Sequence, residues 1–180
     1  MSDNETENTD HTDRAENELH KNKAIIAGLT TILNEIIEEN IIKFTNESTE
    51  SKNKTETFSA KKIPGISLEN YLTRILKYSN IEESTLIISL IYLDRICEKS
   101  MVKLSKLNIH RLLITSILVA IKFNEDDYFS NQHYAKVGGI TIDELNTLEE
   151  NFIDALEWET WVYVDIYEKY NIYLQNYTKK

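Results

Sequence analysis

Lys122 closes a long apolar run in the segment VAIKFNEDD, and three acids follow it at Glu125, Asp126 and Asp127. Clustered carboxylates can hold a cation. At the end of an apolar helix, however, they are more simply a solvated turn or a loop facing a basic partner. His110 and His133 have no ligating side chain at useful spacing and suit polar surface or loop roles. Cys97 stands alone, so no internal disulfide can form, and no Cys/His cluster has zinc spacing. Its flanks suggest a small filler near a helix end. No Gly-rich phosphate loop or nucleophile–base signature occurs, so no enzyme, cofactor, metal or small-molecule substrate is expected. Taken by type alone, Lys122 in VAIKF and Glu149 in NTLEENF are a solvated charge and at most a surface ion pair worth about 0–1 kcal/mol.

The element that positions Lys122 is the most informative stretch of the chain, NIHRLLITSILVAIKFNEDD. Ile109, Leu112, Leu113, Ile117, Ala120 and Ile121 follow i, i+3, i+4 spacing, while Ile114, Leu118 and Val119 fill the opposite face. A helix apolar all round must be sheathed by other helices. Its uncharged run, Leu112 to Ile121, is about half the length of a bilayer span, so it reads as a central core helix and no membrane partner is expected.

Four Gly, one Pro and repeated apolar runs at helical period argue for an all-α domain. Residues 1–22 are acidic and polar, without the apolar core of a signal peptide, and are expected to be disordered in an intracellular protein, cytoplasmic or nuclear. An amphipathic helix follows at 23–44, carrying Ile25, Ile26, Leu29, Ile32, Leu33, Ile36, Ile37, Ile41 and Ile42. Residues 45–62 read as a flexible polar linker in which Phe58 alone looks like a core residue. Five helices are then expected between Ser67 and Leu156. Ser67 is placed to cap the first, Ser105 or Asn108 the third, and Thr141 with Glu144 forms a capping box for the fifth. Gly138-Gly139 ends the fourth. A last helical segment, Trp161 to Tyr177, carries Val164, Tyr167, Tyr170 and Leu174 at helical spacing. The domain proper spans 63–160 and the final helix and tail 161–180.

Net charge is −10, and residues 1–60 hold six Lys or Arg against thirteen Asp or Glu. An acidic chain lacks the basic face that phosphate contacts need, so nucleic acid is not an expected partner.

Several blocks stand in order: R-x-x-K-Y at Arg74 to Tyr78, Y-L-D-R at Tyr92 to Arg95, HRLLITS from His110 and YAKVGGI from Tyr134. Together they resemble the cyclin box of the P/U-type cyclins, the group related to the yeast phosphate-signalling cyclins, from about Pro64 to Trp161. The resemblance implies a single five-helix cyclin box around a buried helix, with flanking N- and C-terminal helices. It also implies a cyclin-dependent kinase as partner, bound and activated through the surface facing the kinase αC helix. The alternative is a cyclin-fold adaptor that activates no kinase.

By the same resemblance, Lys122 and Glu149 fall where the family holds the kinase helix. Phe123, Phe152, Ile153 and Trp158 would supply the apolar part of that contact. Phe152 and Ile153 lie on adjacent faces of one helix, so only one of them should face the core fully. Trp158 could close the core or face the partner. Arg74 and Asp94 are expected to form an internal salt bridge, a brace between helices. The helix that builds a groove for R-x-L substrates in mitotic cyclins has no counterpart here.

Overall fold

The computed structural model describes the backbone of residues 4–44, 57–79 and 81–178, and the side chains of 23–43, 57–79 and 81–177. Most of the expected linker, and Asn80, lie outside the described residues. The helices run α1 Asn4–Phe44, α2 Leu68–Ser79, α3 Glu83–Lys99, α4 Ile109–Asn124, α5 Asn131–Gly138, α6 Ile142–Ala155 and α7 Val164–Thr178, and no strand is present among the described residues. The five-helix core, α2 to α6, is the all-α arrangement expected, flanked by α1 and α7.

Central α4 is buried on every face from Leu112 to Ile121, because α2, α3, α5 and α6 all pack against it. At Lys122 the helix comes back to water, and Asn124 and Glu125 end it. Its N-terminus departs from expectation. Asn108 occupies the cap position but makes no capping bond. It is fully buried and braces its own approach loop, accepting from the Ser105 amide at 2.8 Å and donating to the Lys103 carbonyl at 2.9 Å.

Capping elsewhere follows the residue types. Ser67 Oγ accepts from the Asn70 amide and starts α2. Thr141 accepts from the Glu144 amide at 3.1 Å and starts α6. The return half of that capping box is replaced, because the Glu144 carboxylate turns to Arg111 of α4 at 2.6 Å. Gly139, at φ +70°, takes the left-handed position that ends α5.

Backbone helix extends upstream of Lys23 to Asn4, into the stretch expected to be disordered; no Gly or Pro between Asn4 and Asn22 interrupts it. The apolar stripe of α1 lies on the same chain's own domain. Ile25, Ile26, Leu29, Ile32, Leu33 and Ile37 join the common core, packed against α7 and α2. Asn40 donates to the Leu104 carbonyl at 3.0 Å, and Lys106 pairs with Glu38 at 2.8 Å. Ile36, Ile41 and Ile42, assigned to the same stripe, are exposed. The tail of the expected linker is also anchored: Phe58 is buried, and the Ala60 amide donates to the Leu107 carbonyl. No helix among the described residues is long and apolar enough to cross a membrane.

Candidate functional site: the face formed by α4 and α6

The last turn of α4 and the middle of α6 bring Lys122 and Glu149 together. Lys122 Nζ lies 2.6 Å from Glu149 Oε1, and the two side chains are 27% and 14% exposed. Asn131, the first residue of α5, donates to the other carboxylate oxygen at 2.8 Å and to Asn146 Oδ1 at 2.7 Å. Both Glu149 oxygens are therefore engaged within the chain. Lys122, with three N–H donors and one given to Glu149, keeps donors to spare. The half-buried setting makes this pair tighter than an exposed one, and Asn131 fixes its orientation.

The apolar residues expected around the pair separate into two groups. Phe123 is 46% exposed and Trp158 is 67% exposed. Both present aromatic surface to solvent. Ile153, one turn beyond Glu149, is half-buried against the core. Phe152 is fully buried and meets Phe58 edge-on at a centroid distance of 6.2 Å. It sits under the surface and offers nothing to a partner, which corrects its assignment as a contact residue. One residue in register decides this: at i+3 from Glu149, Phe152 turns inward, while Ile153 at i+4 follows the outer face.

Arg74 and Asp94 do not pair. Among the described residues α2 packs chiefly on α1 and α5, and α3 on α4 and α7. Arg74 instead donates to the Lys136 carbonyl at 2.7 Å, in the last turn of α5, where helix carbonyls favour a cation. Asp94 accepts from the Tyr170 hydroxyl of α7. Each is a brace between helices, but to a different neighbour.

Sequence reasoning missed two features. Asn131 orients Glu149, and nothing in its spacing announces this. Arg95, Tyr92 and Lys99 of α3 clamp the segment after α6. Arg95 donates to the carbonyls of Glu159 at 2.7 Å and Trp161 at 2.9 Å, Tyr92 donates to the Thr160 carbonyl at 2.5 Å, and Lys99 pairs with Glu157 and Glu159. The signal was present in the Y-L-D-R block, whose Tyr and Arg make these bonds. Within the clamped segment Glu157 (φ 56°) and Trp158 (φ 60°) are both left-handed. This costs roughly 1–2 kcal/mol per residue and persists because neighbours over-determine it.

Other reactive types have structural roles. His110 bonds the Ile66 carbonyl at 3.1 Å and His133 the Tyr78 carbonyl at 2.7 Å. Glu125 accepts from the Glu82 amide, and no cluster among the described residues could hold a metal. Cys97 lies beside a cleft of about 640 Å³ between α1, α3 and α7. Burial, helped by Asp94 and Glu98, pushes its thiol up to about 12, so it stays protonated and unreactive.

A model of the cyclin family matches residues 2–160. The chain belongs to the cyclin family. Among similar proteins, Cyclin-U4-3 of Arabidopsis thaliana is 40% identical over 132 residues, covering 73% of this chain and 60% of the relative. Cyclin-P3-1 of Oryza sativa subsp. japonica is 36% identical over 132 residues, 73% of this chain and 56% of the relative. The PHO85 cyclin-like protein psl1 of Schizosaccharomyces pombe is 41% identical over 124 residues, 68% of this chain and 51% of the relative. The matched stretch thus spans between half and two thirds of each relative's length, and this cyclin is of the P/U type. The Lys122–Glu149 pair lies on the outside of the α2–α6 core.

Proposed function

We propose that this cyclin is the non-catalytic regulatory subunit of a cyclin-dependent kinase, bound through the face around Lys122, Glu149, Phe123, Ile153 and Trp158. The observation that carries the reading is the Lys122–Glu149 pair, at 2.6 Å and orientated by Asn131. Lys122 is the contacting charge; its remaining donors suit backbone carbonyls at a helix end of the kinase. Glu149 is the positioning residue. It holds the ammonium in one geometry before binding and so lowers the ordering cost of the complex. Phe123 and Trp158 supply aromatic anchors of the kind that dominate interfaces.

Activation follows as a population shift. A face that fits the kinase αC helix only in its active position binds that state better. It thereby raises the fraction in which the catalytic Lys–Glu pair of the kinase is assembled.

Tagged wild type, Lys122→Glu and Glu149→Lys, purified side by side with partners identified by mass spectrometry and kinase assay, test this. A kinase is expected with the wild type and reduced at least tenfold with each variant. Equal recovery with all three proteins contradicts the site. Other partners recovered with no kinase at all favour a cyclin-fold adaptor.

A further inference from the structure

The cleft of about 640 Å³ between α1, α3 and α7 has the size of a small-ligand site. α1 and α3 each pack on α7 and not on each other, so the cleft separates two helix faces. Both faces are apolar. Leu33 and Ile36 line it from α1, Leu90 and Leu93 from α3, and Val102 and Leu104 from the loop before α4. Ile36 belongs by spacing to the buried stripe of α1 yet is 38% exposed, because the space in front of it is this cleft and not another helix. An apolar body seated there would remove that wall from water at a gain of about 25 cal/mol per Å².

Charged and aromatic groups converge where α3 meets α7. Asp94 and Glu98, one turn apart on α3, line the cleft beside Tyr170 and Tyr173 of α7. The Tyr170 hydroxyl donates to one oxygen of Asp94, which fixes that carboxylate and leaves its other oxygen as an acceptor. Two carboxylates backed by two phenol rings suit a cation, by ion pairing and cation–π attraction together. The two ammonium groups that line the cleft, Lys103 and Lys169, come from separate elements, the loop before α4 and α7. They form no matching pair for an anion. The cleft is also remote from the Lys122–Glu149 face, since neither α1 nor α7 packs on α4 or α6 among the described residues.

From this geometry we propose that the cleft binds a small amphiphile, with its apolar chain between α1 and α3 and an ammonium group at Asp94 and Glu98. The site is independent of the kinase reading. An occupant would bridge α1 to α3, which otherwise meet only through their neighbours, and so fasten α1 to the domain.

The test is calorimetric titration of the full chain with decylammonium chloride below its micelle concentration, with decanoate as the same chain bearing the opposite charge. Saturable binding of decylammonium is expected, at least tenfold tighter than that of decanoate. Asp94→Asn/Glu98→Gln should weaken it at least tenfold. Ile36→Trp, which fills the mouth of the cleft from a position already exposed, should abolish it at unchanged melting temperature. Absence of saturable binding to wild type overturns the site. Undiminished binding to Ile36→Trp also overturns it, since the amphiphile then sits on the acidic surface at large. Equal affinity for the two amphiphiles, or an unchanged affinity in the carboxylate variant, overturns the ammonium assignment.

Discussion

Phe152 shows how narrow the margin is between a contact residue and a core residue on one helix. Its ring is fully buried against Phe58, which comes from the far side of a segment that composition alone makes a loose linker. Phe152→Ala should destabilise the protein by about 3–5 kcal/mol, as large-to-small core changes do. Phe58→Ala should cost less when made in that background than in wild type, since the aromatic pair is worth about 0.5–1.5 kcal/mol beyond its area. Chemical denaturation of the two single variants and the double variant measures this. Kinase binding, normalised to folded protein, should be unaffected by Phe152→Ala.

His110 gives a second residue-level prediction. Its Nε2 faces the Ile66 carbonyl, so the proton belongs there, and Nδ1 is buried with no hydrogen-bond partner. Burial lowers its pKa below the ordinary 6.5, outweighing the carbonyl bond. The unfolded chain therefore binds this proton more readily than the folded one. Stability is full above about 6.5 and falls as pH drops toward the folded value. Melting temperature should decline through that window, and His110→Gln should flatten the decline. An equal slope in both proteins would contradict it.

At the scale of elements, periodicity made the helices legible and could not supply their partners. The all-apolar run of α4 located the centre, and its emergence at Lys122 marked the face proposed to bind the kinase. Ser67 and Thr141 were readable as caps because capping is local. Asn108 was not, since its side chain serves a loop five residues back. The same distinction separates Arg74 and Asp94. Their types announced bracing, but only the packing of α2 on α5 and of α3 on α7 sends them to those helices instead of to each other. Expected helix at Trp161 begins at Val164, because Arg95 captures the backbone before it. The stripe of α1 required a docking surface without naming it. That surface is α7, α2 and the loop before α4, and Leu33 is wholly buried there. Leu33→Ala should cost about 2–5 kcal/mol and render the Asn40 and Lys106 contacts labile. Hydrogen exchange should then rise along α1 more than along α4; uniform exchange would argue against this docking.

For the whole molecule, one buried helix organises everything else. Four helices sheathe α4, α1 and α7 close the outside, and the charge that leaves the core at Lys122 meets Glu149 from α6. An ion pair in this position could serve only to hold α4 and α6 together. The charge-swapped variant Lys122→Glu/Glu149→Lys separates that role from partner binding, because it restores the internal pair while reversing the charge offered outward. The most direct measurement is the affinity of this variant, and of each single variant, for the kinase recovered with wild type, beside their melting temperatures. The swap is expected to regain most of the stability lost in the single variants but to stay at least tenfold weaker in binding than wild type. A swap that recovers stability and binding together would make the pair a structural brace and contradict the kinase-facing role of Lys122.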